Sequence, residues 1–200
     1  MKIVKNLNQL NKPCKKVTPY EGSEIASQLL DECMENDNYI GLAANQVGID
    51  AAVAVVAIPD MEPITLINPE ILEVSNPVVY KERCLSLPKK VYNTKRFQKI
   101  KIRSDNLGEQ LYDAVGKGEA ELLQVVCIQH EINHLDGLTI KDVRFIPPSP
   151  KKEFPKIGRN QWVQLTHRKT KEERELKYKK AELLLTHDSD WEITGIQEKS

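Results

Sequence analysis

Apolar and polar positions divide the chain into stretches of two different periods. Ile25, Leu29 and Cys33, with Leu30 and Met34 beside them, recur three and four residues apart, the stripe of a helix that packs by one face. Thr18-Pro-Tyr-Glu21 opens that stretch with a hydroxyl N-cap, Pro at the first helical position and Glu three residues after the cap. A helix is therefore expected from there to about Glu35. Ala51 to Ile58 and Ile64 to Val74 are rich in β-branched residues and punctuated by Pro59 and Asn68-Pro69, which predicts strands. Residues 96–114 alternate through Phe97, Ile100, Ile102, Leu111 and Tyr112 around Asp105-Asn-Leu-Gly108, the pattern of a hairpin. The helical period returns from about Lys117 to Leu135, where Leu122, Leu123, Val126, Cys127 and His130 share a face and Gly137 supplies a stop. Pro147-Pro-Ser-Pro150 breaks the chain. Beyond it, residues 170–185 are charged and helix-forming, with Leu176, Tyr178 and Leu183 to Leu185 as their apolar content. The expected fold class is α+β, with antiparallel strands around the second helix in a domain over 1–146 and a charged, partly helical extension over 147–200.

Composition narrows the function classes. Of 200 residues, 40% are hydrophobic and 29% charged, a globular rather than disordered or fibrous balance. The longest apolar run, Ala51 to Ile58, is far short of the roughly 20 residues a membrane span needs. No membrane partner is expected. The first residues lack the apolar stretch of a secretory signal, so the expected location is cytoplasmic, in a bacterium, a phage-infected host or an organelle. Four cysteines, Cys14, Cys33, Cys84 and Cys127, form no CxxC pair and are read as reduced. The 29 basic and 29 acidic side chains cancel overall. Locally they do not: residues 1–150 carry a net of −3, residues 151–180 a net of +7 and the last twenty a net of −4.

His130-Glu-Ile-Asn-His134 is an H-E-x-x-H sequence inside the second expected helix. Positions four apart lie on one helix face, so two imidazoles converge on one metal, and Glu131 beside them can accept a proton from a water. A hydrolytic site of this kind uses three protein ligands. Downstream candidates for the third are His167, Glu153 and the Glu172 to Glu175 cluster; upstream, Cys84 offers a thiolate.

Three segments in order, Gly41-Leu-Ala-Ala-Asn-Gln46, Glu82-Arg-Cys-Leu-Ser86 and Gln129-His-Glu-Ile-Asn-His134, resemble the motifs of the peptide deformylases over roughly residues 1–145. The resemblance implies a metal-dependent hydrolase that removes the formyl group from formyl-Met nascent peptides, on a compact α+β fold whose metal helix lies against antiparallel strands. It implies Cys84, His130 and His134 as ligands of one divalent ion, Fe(II) first, with Zn(II), Ni(II) or Co(II) as substitutes. Glu131 would transfer the proton, and the Gln46 amide and the Leu85 N–H would hold the oxyanion. Ile40, Gly41, Leu123, Val126 and Cys127 would line the pocket for the methionine side chain, while Leu122 and Val125 fill the core. Glu82 is expected to pair with a later arginine such as Arg96. Two residues depart from the motifs, Tyr39 and Arg83, each where a glycine is usual. Asn133, where Asp is common, is expected to point away from the metal and matter little.

Two other readings are an HExxH zinc peptidase with a downstream ligand and a deformylase-like domain that has lost turnover and binds instead. The resemblance also implies a monomer whose basic segment 151–180 docks on the ribosome; the alternative is a solvated helix packed on the domain through its leucines. DNA is not an expected partner. Trp162 and Trp191 are expected to pack within the extension.

Overall fold

The computed structural model describes residues 1–147, 156–188 and 190–197. A single turn of helix, α1 (Leu7–Leu10), precedes the first long one, α2 (Pro19–Met34). Thr18 starts α2 as its side chain dictates: its hydroxyl accepts from the Glu21 N–H at 3.3 Å, and the Glu21 carboxylate accepts from the Thr18 N–H at 3.0 Å. The apolar stripe buries Ala26, Leu29 and Cys33 against Leu42, Val53 and Val55. Gly22 sets the approach, since a Cβ there would sit 2.5 Å from Ile67 Cγ2.

Three short strands, β1 (Gly41–Ala43), β2 (Val53–Val56) and β3 (Ile64–Ile67), pair antiparallel in that order. Every residue of β2 is buried, which accounts for its unbroken apolar run. A second antiparallel sheet holds β4 (Glu70–Glu82), β5 (Tyr92–Ser104) and β6 (Gly108–Asp113). The strand expected over 64–74 is therefore two. Asn68 separates them with φ 49, and its side chain fixes the corner by accepting from the Val17 N–H and donating to Val17 O and Asp105. β4 also runs eight residues past the expected end, paired with β5 as far as Glu82 opposite Tyr92. The hairpin around Asp105 to Gly108 forms as the pattern implied, with Gly108 at φ 67.

Helix α3 (Glu119–Leu135) packs on β1, β2 and β5. Val125, Ile128 and Ile132 meet Val56, Leu66, Ile100 and Ile102 in one core cluster. This packing places the second half of α3, and the histidines on it, inside the protein.

The chain divides into two compact units, Met1–Pro147 and Pro148–Ser200. In the second, β7 (Trp162–His167) is the central strand between β8 (Glu173–Lys177) and β9 (Trp191–Ile196), with α4 (Tyr178–His187) between the outer two in sequence. The helix expected over 170–185 is corrected accordingly: residues 173–177 form a strand, and the helix starts at Tyr178. Pairing with β7 overrides the helix propensity of Glu173-Arg-Glu-Leu-Lys177. Val163, Leu165, Tyr178, Ala181, Leu185 and Trp191 form this unit's own core, whereas Trp162 stays 44% exposed.

Candidate active site

Residues from three elements meet at one end of the first unit. β1 runs into a turn of 3-10 helix carrying Asn45 and Gln46; β4 runs into the loop carrying Cys84 to Ser86; α3 carries His130, Glu131 and His134. Cys84, His130 and His134 are all buried, and their ligand atoms lie within 4.8 Å of one another. The Cys84 sulfur is 3.2 Å from His134 Nε2, and the two imidazole centroids are 5.0 Å apart.

A buried cluster of charged groups holds these side chains in place. His130 Nδ1 lies 2.6 Å from Glu82 Oε2, which leaves Nε2 for the site. Arg96 donates to both Glu82 oxygens, at 2.6 and 3.1 Å, and the Thr94 hydroxyl also donates to this carboxylate. Burial alone would raise the Glu82 carboxyl, but hydrogen bonds from His130 and Arg96 outweigh it and hold the group near 2. The expected Glu82–Arg96 pair thus lies behind the site and orients one of its imidazoles. Arg96 also donates to Asn133 Oδ1 at 2.5 Å, so the expectation that Asn133 matters little is corrected. Asn133 points away from the histidines and holds the back of the same cluster. Its role could not be read from the motif, because its partner lies 37 residues away.

Gln46 is fixed by accepting from the Ala43 N–H at 2.9 Å, and its amide reaches the Cys84 sulfur at 3.7 Å and Ser86 Oγ at 3.4 Å. Ser86, 1% exposed, is a site neighbour that the motif contained without a role assigned to it. The Leu85 N–H has no hydrogen-bond partner among the described residues. Asn45 ties the first turn to α3 by donating to His134 O at 2.5 Å.

Glu131 is 3% exposed; one carboxylate oxygen faces the Cys127 thiol at 3.9 Å and the other has no partner. Burial pushes its carboxyl up to about 7, the range in which a group can both take and return a proton at neutral pH. Gly41 makes room for it: a Cβ there would lie 2.7 Å from Glu131 Oε1 and 2.6 Å from Cys127 Sγ. A cleft of about 830 Å³ opens onto these groups, lined by Gln46, Cys84, Leu85, His130 and Glu131 and by Ile40, Gly41, Leu123, Val126 and Cys127. The structure brings every expected site residue together; all of them line this cleft except His134, which is 0% exposed and joins the cluster beside the Cys84 sulfur.

The donor set suits a divalent ion. Burial keeps His134 well below the usual imidazole range, so its ring is neutral as a ligand must be, and its Nδ1 is left without a partner. Burial opposes charging His130, but hydrogen bonds to Cys84 and Glu82 outweigh it and raise the group to about 10; a bound cation would take the place of that proton. The alternative third ligands belong elsewhere. His167 accepts from the Thr170 N–H and faces Asp188 and Trp191, Glu172 pairs with Arg174, and Glu153 lies outside the described residues. A second cluster that could hold a metal, His167 with Asp188 and Asp190, is occupied by these contacts and by Lys169, which pairs with Asp190 at 2.7 Å.

A buried thiol and two imidazoles around an open cleft, with a carboxylate poised beside them, are the apparatus of a metal-dependent hydrolase. A sequence model of the polypeptide deformylase family matches residues 1–146. Peptide deformylase 1 of Bacillus anthracis is 39% identical over 142 residues, covering 69% of this chain and 88% of that one. The peptide deformylase of Alkalilimnicola ehrlichii is 38% identical over 121 residues, and the match spans 59% of this chain and just under two thirds, 65%, of that one. The crystal structure of peptide deformylase from Thermotoga maritima superposes with a TM-score of 0.59 at 28% identity, covering 74% of this chain and 97% of that one. The chain belongs to the polypeptide deformylase family, enzymes that remove the N-formyl group from nascent peptides.

Proposed function

We propose that this chain itself deformylates the N-terminal formylmethionine of newly made polypeptides, with Cys84, His130 and His134 holding one divalent ion. The observation that carries the proposal is the convergence of these three donors beside a buried carboxylate that has a free oxygen. An ion held there supplies Lewis acidity and a water activated near neutral pH. Fe(II) is the first candidate because the family resemblance implies it; the thiolate and imidazole donors themselves also suit Zn(II), Ni(II) and Co(II).

The remaining steps belong to side chains of this protein. Ile40, Leu123, Val126 and Cys127 receive the unbranched methionine side chain. The Leu85 N–H and one N–H of the Gln46 amide hold the formyl oxygen as negative charge develops on it. Removing one such donor typically costs about 2.7–4 kcal/mol of transition-state stabilisation. Glu131 takes a proton from the attacking water and returns it to the leaving nitrogen as the C–N bond breaks, so that formate and a free amine result.

The test is formate release from a formyl-Met peptide by protein prepared without oxygen and loaded with Fe, Co, Ni or Zn, beside Cys84→Ala and Glu131→Ala. Activity is expected in the parent and lost in both variants. Release that survives both substitutions would overturn the assignment. Cleavage of internal peptide bonds would favour a peptidase, and an inert loaded protein would favour a binding module. The basic segment 151–180 is proposed to contact ribosomal RNA, through cations such as Lys156, Arg159, Lys179 and Lys180 that have no ion-pair partner among the described residues. Co-sedimentation with ribosomes that is insensitive to salt would argue against that contact.

A further inference from the structure

The cleft is larger than a formylmethionyl group needs, so its outer part must meet the residues that follow methionine in the substrate. Its buried lining consists of the chemical groups and apolar side chains described above. Its exposed lining is different: Lys81, Arg83, Lys89 and Lys90 are all exposed, and no exposed acidic residue joins them. The lining contains two carboxylates, both buried. Glu82 is neutralised by Arg96 and His130, and Glu131 faces the reacting centre. None of the four cations has an ion-pair partner among the described residues.

Their backbone is held to the site. Arg83 immediately precedes Cys84, and Lys81 stands opposite Asn93, one residue before the β4 ladder ends at Glu82. The loop closes on itself through Leu87 N–H to Cys84 O at 3.0 Å and Lys90 N–H to Leu87 O at 3.2 Å. Lys89 has φ 66, a conformation that a lysine adopts at a cost and that this hydrogen-bonded turn maintains. Four unneutralised positive charges are thus carried on the segment that also carries Cys84, at the mouth of the same cleft.

We propose that this rim selects among nascent peptides, favouring those with acidic side chains at the two positions that directly follow the formylmethionine. The proposal rests on the deformylase reading and deepens it. A screened, exposed ion pair shifts an equilibrium about two- to fivefold, so two acidic residues should give roughly a tenfold preference over neutral ones at low salt. Lysines at the same positions should be disfavoured to a similar degree.

Three peptides of equal length test this: formyl-Met-Ala-Ser, formyl-Met-Asp-Glu and formyl-Met-Lys-Lys, each amidated at its C-terminus, assayed for kcat/KM with the metal-loaded full chain. The acidic-to-neutral ratio is expected to be about ten at low ionic strength and to approach one near 1 M salt. In the variant Lys81→Gln, Arg83→Gln, Lys89→Asn, Lys90→Gln the ratio is expected to approach one at all salt concentrations. Asn is chosen at 89 because it tolerates a positive φ. The ratio is the readout, so a general loss of activity in the variant cancels. Equal rates on all three peptides would overturn this inference while leaving the deformylase reading intact. A preference for the acidic peptide that persists in the variant would also overturn it. Absence of formate from every peptide would overturn the deformylase reading and this inference with it.

Discussion

Glu82 joins the fold to the chemistry, and replacing it by Gln should damage both. The carboxylate is 5% exposed and takes hydrogen bonds from Arg96, Thr94 and His130. The substitution keeps the shape and one acceptor oxygen but leaves the Arg96 guanidinium, itself 3% exposed, without its buried counter-charge. Removing one member of a buried ion pair costs about 3–5 kcal/mol, because the other is left uncompensated. The same group gives a pH signature. Its folded value near 2 lies below the unfolded 4.5, so its stabilisation is fully present above pH 4.5 and is lost as pH falls through 2. At about 1.4 kcal/mol per pH unit, that amounts to about 3 kcal/mol. The choice of probe follows from the architecture. Trp162 and Trp191 both lie in the second unit, so tryptophan fluorescence would follow the wrong part of the molecule. Hydrogen exchange of the α3 amides in graded urea, at pH 7 and pH 3, reports on the right one. The Gln variant should lose about 3 kcal/mol at pH 7, show a flatter pH dependence than the parent, and release metal about 10–100-fold more readily. A variant within about 0.5 kcal/mol of the parent at pH 7, with unchanged metal retention, would refute the role assigned to this cluster.

Other outcomes follow from single contacts. Glu131→Gln should lower formate release about 10²–10⁴-fold with the metal content unchanged, as measured on the same sample by elemental analysis; coincident loss of metal would make Glu131 a structural group instead. Gly41→Ala places a methyl 2.7 Å from Glu131 Oε1 and should reduce kcat more than it raises KM, whereas a pure rise in KM would mean that the carboxylate had not moved. Ile128→Ala, at a fully buried position between α3 and both sheets, should cost about 2–5 kcal/mol of stability in the first unit, again read by exchange at α3.

Local signals carried much of this fold. The cap at Thr18, the helical stripe that follows it and the turn at Asp105 to Gly108 each depend on contacts within a few residues, and each formed as its pattern implied. The four-residue spacing of His130 and His134 placed two site residues for the same reason. What the pattern hid depends on distant partners. The far half of β4, from Ser75 to Lys81, is largely exposed and begins with the turn-type residues Asn76, at φ 56, and Pro77, and its ladder with β5 carries the strand through them. Glu173 to Lys177 reads as helix until β7 lies beside it. Cys84 could be separated from an ordinary buried cysteine by resemblance, whereas the turn at Gln46, the Cys84 loop and α3 come together through tertiary packing alone.

The register of β9 on β7 changes how the charges of the second unit should be counted. In the linear sequence a basic stretch is followed by an acidic end, but the returning strand lays one over the other: Arg168 meets Glu192, and Lys169 meets Asp190. The segregation visible in the sequence is therefore reduced in the folded unit at these two pairs, while Lys156, Arg159, Lys179 and Lys180 keep no ion-pair partner among the described residues. While being synthesised, before β9 exists, this segment is a concentrated polycation, and completing the sheet partly discharges it.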